Sequence, residues 1–343
     1  MKKQKKLICL GVLMLLLCLA GVFAWQLWRM SMQNNMKTQE SVKLYIYPED
    51  DFASVYEQLS PHLQRPKDFA RMASLSRYKE HVKTGYFEIH PGLGNRAIVR
   101  VLSQGLQKPV KIRFNNIRTV QQLSGLLSRQ IMLDSAHIYK VFTDPAFLAA
   151  QGLTQETLPA FFLPDTYEVW WNASPERLQK TFVNAYKAFW NEERLQKAEK
   201  QGLTPVEVSI IASIIEEETN MKDEWPIVAG IYMNRLRRGM YLQACPTVKF
   251  ALNDFSIKRV LKEHTEVDSP YNTYKHLGLP PGPVRIPSKA ALDAVLNSEK
   301  HNYLYMCAKD DFSGRHYFST NLKQHNAYAN RYHKALNKRR IYK

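Results

Sequence analysis

The sequence is poor in cysteine, glycine and proline for its length. Its 343 residues include only 4 cysteines, 14 glycines and 17 prolines. Two of the four cysteines, Cys9 and Cys18, lie in an apolar N-terminal run, so a scaffold built on disulfides is excluded. The low glycine and proline content excludes collagen and low-complexity chains, and a hydrophobic fraction of 45% excludes general disorder. A chain of this length predicts about two folded domains.

Several catalytic motifs are also missing. The ten histidines form no His-Glu-x-x-His, and the sequence contains no Cys-x-x-Cys and no Gly-x-Ser-x-Gly. The stretch Gly92–Gly94 lacks the third glycine of a dinucleotide-binding loop. We therefore expect neither a metal nor a cofactor.

Acidic residues are the scarcer charge, with 31 Asp and Glu against 48 Lys and Arg and a net charge of +17. The basic residues are scattered, with no Arg-rich helix, zinc-finger spacing or aromatic RNA-binding strand. We therefore expect no nucleic-acid partner. A solvated basic surface accounts for most of the charge.

One long run near the N-terminus carries no charge. It extends from Leu7 to Trp25, and with Trp28 it predicts a transmembrane helix over 7–28, because ~20 helical residues span the ~30 Å hydrocarbon core. Four lysines precede it, at positions 2, 3, 5 and 6. The positive-inside rule then predicts a cytoplasmic tail over 1–6 and a single-pass protein of the inner (cytoplasmic) membrane, with its catalytic part outside.

A cleaved signal peptide is the alternative interpretation of this run. The length of the run and the tryptophans at its end favour an uncleaved anchor. A basic domain outside the membrane would meet acidic lipid head groups and the carboxylates of the cell wall.

The rest of the chain predicts an α+β fold. Residues 29–41 are polar and unpatterned, which is typical of a linker. Residues 42–115 alternate like a strand at Val42–Tyr47, continue through two helices and return to a strand at Tyr86–Ile89.

Residues 116–343 predict a second, mixed α/β domain. A long amphipathic helix is predicted over Pro175–Lys197. Strands follow at Tyr303–Cys307 and His316–Phe318, and a basic helix is predicted over Leu322–Lys338.

The most informative helix begins at Thr204, with proline at the first helical position and glutamate at the third. Its isoleucines and valines cover more than half of the circumference, which predicts burial on most sides. What remains is a narrow face of Ser209, Ala212, Ser213 and Glu216. The small side chains leave room for a ligand beside Glu216. The alternative is that Glu216–Glu218 simply form the solvated end of a helix.

Polar and aromatic side chains follow this helix in several turns. They are Asn234, Gln243, Thr247, Tyr271, Asn272 and Tyr274. Such a set is typical of a lining that binds sugar rings, so these six are candidates for substrate binding. Each of them, taken singly, is equally well explained by an ordinary turn or a buried tyrosine.

These segments, in this order, resemble the YceG-like family of endolytic murein transglycosylases. The motifs are FFLPDTY, ASIIEEET, MNRL, GMxLQxxPTV, YNTY, GLPPGP and a C-terminal histidine pattern around His316 and His325. The resemblance covers most of the chain from residue 42 onward. It implies a LysM-like module over 42–115 and a YceG-like catalytic domain over 116–343. It also implies that the first glutamate of the motif, Glu216, is the catalytic residue.

The resemblance implies a lytic transglycosylase, a lyase that uses one glutamate first as acid and then as base. It would cut the MurNAc–GlcNAc bond of peptidoglycan glycan strands and leave 1,6-anhydro-MurNAc ends, with no metal and no water consumed. A role beside the peptidoglycan synthases, on nascent strands, is implied in the same way.

One position departs from the family pattern. The family usually has aspartate where this sequence has Cys245. We expect this position to shape the turn before Pro246, since the reaction requires a single carboxylic acid. A disulfide between Cys245 and Cys307 is an open alternative to two free thiols.

The sequence is also compatible with two other functions. A non-catalytic protein could tether the membrane to peptidoglycan, and it would not need Glu216. A hydrolase on the same scaffold would use water in place of the C6 hydroxyl, so its product would be heavier by one water.

Overall fold

The computed structural model describes residues 2–257 and 259–339. These residues form a mixed α+β chain that divides into two compact units. The first unit extends to Lys111 and also contains Gln130–Met132 and Glu168–Ala173, while the second contains the other described residues. Position 1 of the predicted tail and positions 258 and 340–343 of the predicted catalytic domain lie outside the described residues.

The first unit begins with a long apolar helix, α1 (Lys2–Met32). Between Lys6 and Met32 its mean hydropathy reaches 2.9, and it is the one helix of the described residues that is long and apolar enough to cross a membrane. Its apolar side chains are exposed along the run predicted to be transmembrane.

The chain after α1 is part of the folded unit. The side chain of the buried Asn35 donates to the backbone oxygen of Arg65 (3.1 Å) and to Oδ1 of Asn95 (2.7 Å), and Met36 is buried in the core. The predicted linker 29–41 therefore contains the end of α1 and two buried residues, Asn35 and Met36. The side-chain amide of Asn35 hydrogen-bonds to a backbone oxygen that would otherwise need water, so this segment can be buried.

Five further elements complete the first unit. They are β1 (Val42–Ile46), α2 (Phe52–Leu59), α3 (Pro66–Leu75), β2 (Gly85–Ile89) and α4 (Asn95–Gln104). The strands β1 and β2 pair antiparallel, with Val42 opposite Ile89 and Ile46 opposite Gly85. The alternation of β1 buries Leu44 and Ile46 against the two intervening helices.

The chain changes from one unit to the other within two short strands, β3 (Val110–Arg113) and β4 (Thr166–Val169). The second unit then contains α5 (Val120–Leu127), α6 (Ser135–Phe142) and α7 (Pro145–Gln151). Aromatic rings fill the core here, since Phe142, Phe162 and Phe182 pack edge to face with centroids 5.0–5.5 Å apart.

The helix predicted over Pro175–Lys197 is two helices, α8 (Pro175–Phe189) and α9 (Glu192–Lys200). The prediction is wrong at Asn191, whose side chain accepts a hydrogen bond from the backbone N–H of Arg194 (3.0 Å). An asparagine in extended conformation caps a new helix more favourably than it continues an old one.

Four helices form the centre of the second unit: α10 (Pro205–Glu218), α11 (Trp225–Arg237), α12 (Cys245–Ala251) and α13 (Lys289–Leu296). The predicted start of α10 is confirmed, because Thr204 and Glu207 form a reciprocal capping box. α10 packs against the other three helices and is buried from Val208 to Ile215.

The described residues end in a hairpin and a helix. Strands β5 (Tyr305–Ala308) and β6 (His316–Ser319) pair antiparallel, and α14 (Leu322–Lys338) packs on both. The strands and the helix predicted for this region are confirmed, with shifts of one or two residues at the strand ends.

Candidate active site

The three glutamates at the end of α10 point in different directions, since successive helical residues are rotated by about 100°. Their surroundings therefore differ although they are neighbours in the chain. The narrow face that the sequence left free for a ligand is covered. Ser213 is buried, and its Oγ accepts a hydrogen bond from the backbone N–H of Val284 (3.0 Å).

Glu216 lies at the end of this covered face. Its Oε2 accepts a hydrogen bond from the backbone N–H of Ser288 (2.8 Å), and the guanidinium of Arg285 lies 3.8 Å from the same oxygen. Ser288 in turn caps α13 with its own side chain. The Glu216 carboxylate thus ties the segment before α13 to α10.

Glu217 is held by two arginines. Arg118 contacts both carboxylate oxygens (2.8 and 3.1 Å), and Arg285 contacts Oε1 (2.8 Å). Arg285 also donates to Oδ1 of Asn116 (2.9 Å) and is 9% exposed. Arginine and carboxylate groups in this arrangement form charge-assisted hydrogen bonds of fixed geometry.

Glu218 has no such arginine partner among residues 2–257 and 259–339. Its Oε1 accepts a hydrogen bond from the hydroxyl of Tyr232 (2.9 Å). Burial raises the pKa of Glu218 above its usual value, and the Tyr232 hydrogen bond and the charge of His316 offset only part of this rise. Glu218 is therefore the carboxyl group of the three whose surroundings favour the neutral acid.

Glu218 opens into a cavity of about 390 Å³. The elements around it are α10, α11, the start of α12, the β5–β6 hairpin and α14. The other lining residues are Ile231, Tyr232, Arg235, Leu242, Gln243, Cys245, Tyr274, Tyr305, Met306, Cys307, Ala308, His316, Leu322 and His325.

An arginine and a histidine in this lining are fixed by buried contacts. The guanidinium of Arg235 donates to the backbone oxygens of Leu304 and Leu242 (2.7 Å each). The ring nitrogen Nδ1 of His316 lies 2.8 Å from Oε2 of Glu224, a carboxylate that is 4% exposed and also accepts from the His316 backbone (3.0 Å). Glu224 therefore sets the orientation of the His316 ring in the cavity.

Cys245 occupies the wall next to Glu218. Its Sγ lies 3.5 Å from the hydroxyl of Tyr274. Burial, and next the charge of Glu218, raise the pKa of the Cys245 thiol to about 11. Cys307 lines the same cavity, and both are free thiols rather than a disulfide.

Two of the six predicted substrate-binding residues, Gln243 and Tyr274, line this cavity. Gln243 has a left-handed backbone (φ +50°), and its backbone N–H donates to the oxygen of Thr273 (3.0 Å). This turn directs the segment after α11 along the cavity wall.

The other four predicted residues do not line it. The amide of Asn234 donates to the backbone oxygens of His301 and Tyr303 (2.7 and 3.0 Å). The buried Asn272 holds the backbone of residues 265–267 in the same way.

The hydroxyl of Thr247 is buried against the oxygen of Ala244 (2.8 Å) and Oγ1 of Thr273 (2.9 Å). The ring of Tyr271 packs on Phe250 (4.7 Å between centroids) and lines a different, smaller cavity. These side chains shape the loops around the site rather than its surface.

Sequence reasoning missed Tyr232 and Arg235 in the lining, which look like ordinary members of a buried helix. His316 and His325 were visible in the C-terminal pattern, but nothing in the local sequence placed them near α10. Among the described residues, no group of three or more His, Cys, Asp or Glu side chains is arranged to hold a metal ion.

A cavity with one carboxyl group of raised pKa, beside tyrosine, arginine and histidine side chains, is an arrangement that general acid–base chemistry uses. The chain belongs to the YceG-like family, whose profile matches residues 44–331.

Curated relatives and a solved structure agree with this assignment. An endolytic murein transglycosylase of Bacillus subtilis is 35% identical over 159 residues, covering 46% of this chain and 41% of the relative. One of Streptococcus pneumoniae is 27% identical over 284 residues, covering 73% and 51%. The chain thus spans about half or less of these relatives. The crystal structure of a yceG-like protein from Listeria monocytogenes superposes with a TM-score of 0.55 at 26% identity, covering 84% of this chain and 99% of that one.

Proposed function

We propose that this protein is a membrane-anchored endolytic murein transglycosylase with Glu218 as its catalytic acid. The observation that carries the proposal is the placement of Glu218, a carboxyl group with a raised pKa, in a polar and aromatic cavity. Membership of the YceG-like family and two relatives named endolytic murein transglycosylase supply the reaction class.

The proposal assigns the acid to Glu218 and not to Glu216, the residue predicted from the sequence. A general acid must be protonated and must reach the scissile bond. Glu216 is not among the residues that line the cavity, and its carboxylate accepts the Ser288 N–H and lies near Arg285. Glu218 meets both requirements, since it lines the cavity and its surroundings favour the neutral acid.

In the proposed reaction, the neutral Glu218 donates its proton to the oxygen that links MurNAc to GlcNAc, and the C1–O bond breaks. The acetamido group of the sugar stabilises the positive charge at C1, as in substrate-assisted glycosidases. The Glu218 carboxylate then accepts the proton of the C6 hydroxyl while O6 bonds to C1. The product is a 1,6-anhydro-MurNAc end, and no water enters the balance.

The fixed polar groups of the cavity are proposed to hold the glycan. Gln243 and Tyr274 are retained from the sequence prediction as binding residues, and Arg235 and His316 are added. Arg235 and His316 are anchored before any ligand arrives, which lowers the entropic cost of binding. Asn234, Thr247, Tyr271 and Asn272 are proposed to support the loops that carry these groups.

The first unit is proposed to be a LysM-like module that binds peptidoglycan strands. The support is its order of strand, two helices and strand, with β1 and β2 antiparallel. We further propose that α1 crosses the inner membrane once with the N-terminal lysines in the cytoplasm, which would place the cavity outside and close to the peptidoglycan synthases.

The test is mass spectrometry of purified peptidoglycan after incubation with the full-length protein. The variants are Glu218→Gln, Glu216→Gln and Glu217→Gln, which remove the same charge from three successive positions. We expect anhydro-ended fragments from the wild type and a loss of about 10²–10⁴-fold in Glu218→Gln. The two neighbouring variants should keep most of the activity.

Other outcomes would redirect the proposal. Loss of activity in Glu216→Gln alone would return the acid to Glu216. Fragments heavier by one water would indicate a hydrolase. Binding of peptidoglycan without cleavage by any form of the protein would favour the tethering function.

A further inference from the structure

A groove of about 650 Å³ lies in the first unit at the point where α1 ends. Its lining includes Met32 of α1, Met72 of α3, and Arg96 and Arg100 of α4. It shares no residue with the cavity of Glu218. We propose that this groove binds the phosphate head group of an anionic phospholipid at the membrane surface. The inference rests on the membrane anchor of the proposed function.

The length of α1 indicates where the groove lies relative to the bilayer. Residues 7–28, at 1.5 Å each, span about 33 Å, which matches the hydrocarbon core of a bilayer. Met32 follows one turn later. If α1 crosses the membrane, Met32 and the side chains around it lie among the lipid head groups.

The contact between α1 and α4 is close and fixed. The side-chain amide of Asn95 donates to the backbone oxygen of Met30 (2.7 Å), and Asn34 forms an antiparallel bridge with Gly94. A Cβ atom at Gly94 would lie 2.5 Å from the backbone oxygen of Met32, so only glycine allows this approach. The first turn of α4 is thereby held beside the end of α1, at head-group depth.

The groove carries two arginines without carboxylate partners. Arg96 and Arg100 are both exposed and lie one turn apart on the same face of α4. In the part of the chain that the structure describes, neither makes an ion pair, and the Nε of Arg100 donates to the neutral Gln104 (3.2 Å). A pair of guanidinium groups matches the geometry and the charge of a phosphate.

The apolar side chains favour a lipid over a free anion. Met32, Met72, Ala97 and Val99 contribute apolar surface to the groove. Beside Met72, the side chain of Leu75 is 69% exposed, more than any other large hydrophobic residue described outside α1. A soluble phosphate would use none of this surface, whereas the glycerol and upper acyl carbons of a phospholipid would cover it.

The experiment is native mass spectrometry of the full-length protein in detergent, titrated with phosphatidylglycerol or phosphatidylcholine. The variant Arg96→Gln/Arg100→Gln removes the two groove charges. The matched control Lys180→Gln/Lys187→Gln removes two exposed charges from α8. Each basic side chain near a membrane strengthens attachment to anionic lipid about fivefold. We therefore expect the groove variant to bind phosphatidylglycerol about 25-fold more weakly, with the control unchanged.

Equal binding by the groove variant and the wild type would overturn the proposal. Displacement of the lipid by inorganic phosphate at the same affinity would also overturn it, in favour of a free-anion site. Alkaline extraction of membranes separates the two hypotheses, because wild-type protein that is released into the supernatant would contradict the anchor itself. None of the changes in the groove variant touches the Glu218 cavity.

Discussion

Glu217 and Glu218 are adjacent in the chain, yet the side of α10 that carries Glu217 is packed with arginines and the side that carries Glu218 is not. On the arginine side, Arg118 and Arg285 lie 2.8 Å from carboxylate oxygens. On the cavity side, the hydroxyl of Tyr232 lies at hydrogen-bond distance from Glu218 (2.9 Å). One rotation of about 100° therefore separates an ion-pair cluster from an acid with a raised pKa.

This difference allows one helix end to serve both the structure and the proposed chemistry. The arginine side joins α10 to the segment around Asn116 and to the residues before α13, so it holds the helix in place. The cavity side buries Glu218 without an arginine fork, and burial raises its pKa, as the proposed role of general acid requires. Loss of charge on the arginine side should therefore lower stability. Loss of the Glu218 charge should instead lower activity and raise stability.

Removal of the arginine side is expected to have the largest effect on stability. In Arg285→Ala, Glu216 and Glu217 stay largely buried and lose their shared guanidinium, which should cost about 3 kcal/mol. The melting temperature measured by calorimetry should fall by several degrees.

The control for this prediction is Arg315→Ala. Its ion pair with Asp223 is half exposed, so we expect a much smaller fall in the melting temperature. Equal melting temperatures for Arg285→Ala and Arg315→Ala would show that the arginine cluster contributes no more than a surface ion pair.

The sequence predicted those parts of the fold that depend on neighbours in the chain. The capping box at Thr204 and the alternating strand that became β1 need only residues within one or two turns. The break before Asn191 was missed because a helical hydrophobic pattern continues through it. The role of Asn35 was missed as well, since its partners lie 30 and 60 residues away.

The candidate site was harder to predict for the same reason. A helical wheel gives the angle of each glutamate on α10, but not which distant segment covers each face. Val284, 71 residues further on, covers the face that seemed open. The polar residues of the later motifs fell into two groups that sequence alone does not separate. Gln243 lines the cavity, whereas Asn272 ties its own loop together.

A second prediction tests the cavity side through stability. Because burial raises the pKa of Glu218 above its usual value near 4.5, the folded protein holds this proton more tightly than the unfolded chain. The stabilisation from the neutral acid is complete at low pH and is lost as the pH rises through the raised pKa. Glutamine stays neutral at every pH and can still accept the Tyr232 hydrogen bond.

At pH 7–8, the melting temperature of Glu218→Gln should therefore exceed that of the wild type, by about 2–4 °C for each kcal/mol gained in the free energy of unfolding. Near pH 4 the two melting temperatures should be equal. Thermal unfolding at a series of pH values measures this difference. Glu216→Gln is the matched control and should show no such gain, because it loses charge-assisted contacts to Ser288 and Arg285. A wild type that melts above Glu218→Gln at pH 8 would contradict a raised pKa.

The smallest expected effect concerns Cys245, which lines the cavity and occupies the position where the family usually has aspartate. Cys245→Asp would place a second carboxylate near Glu218, and like charges oppose each other's ionisation. The pKa of Glu218 should rise further, so the acid stays protonated to higher pH. In a pH–rate profile, the decline on the alkaline side should therefore move to higher pH.

Cys245→Asn separates charge from shape in this experiment. Asparagine has nearly the size of aspartate but no charge. The decline on the alkaline side of its pH–rate profile, the alkaline limb, should therefore coincide with that of the wild type. A limb that moves equally in both variants would mean that packing against Tyr274, 3.5 Å from the thiol, controls the acid. A limb that moves to lower pH in Cys245→Asp would show that the new carboxylate attracts a cation to the cavity. In that case the contrast between Glu218 and Glu217 would depend on the uncharged side chain at position 245.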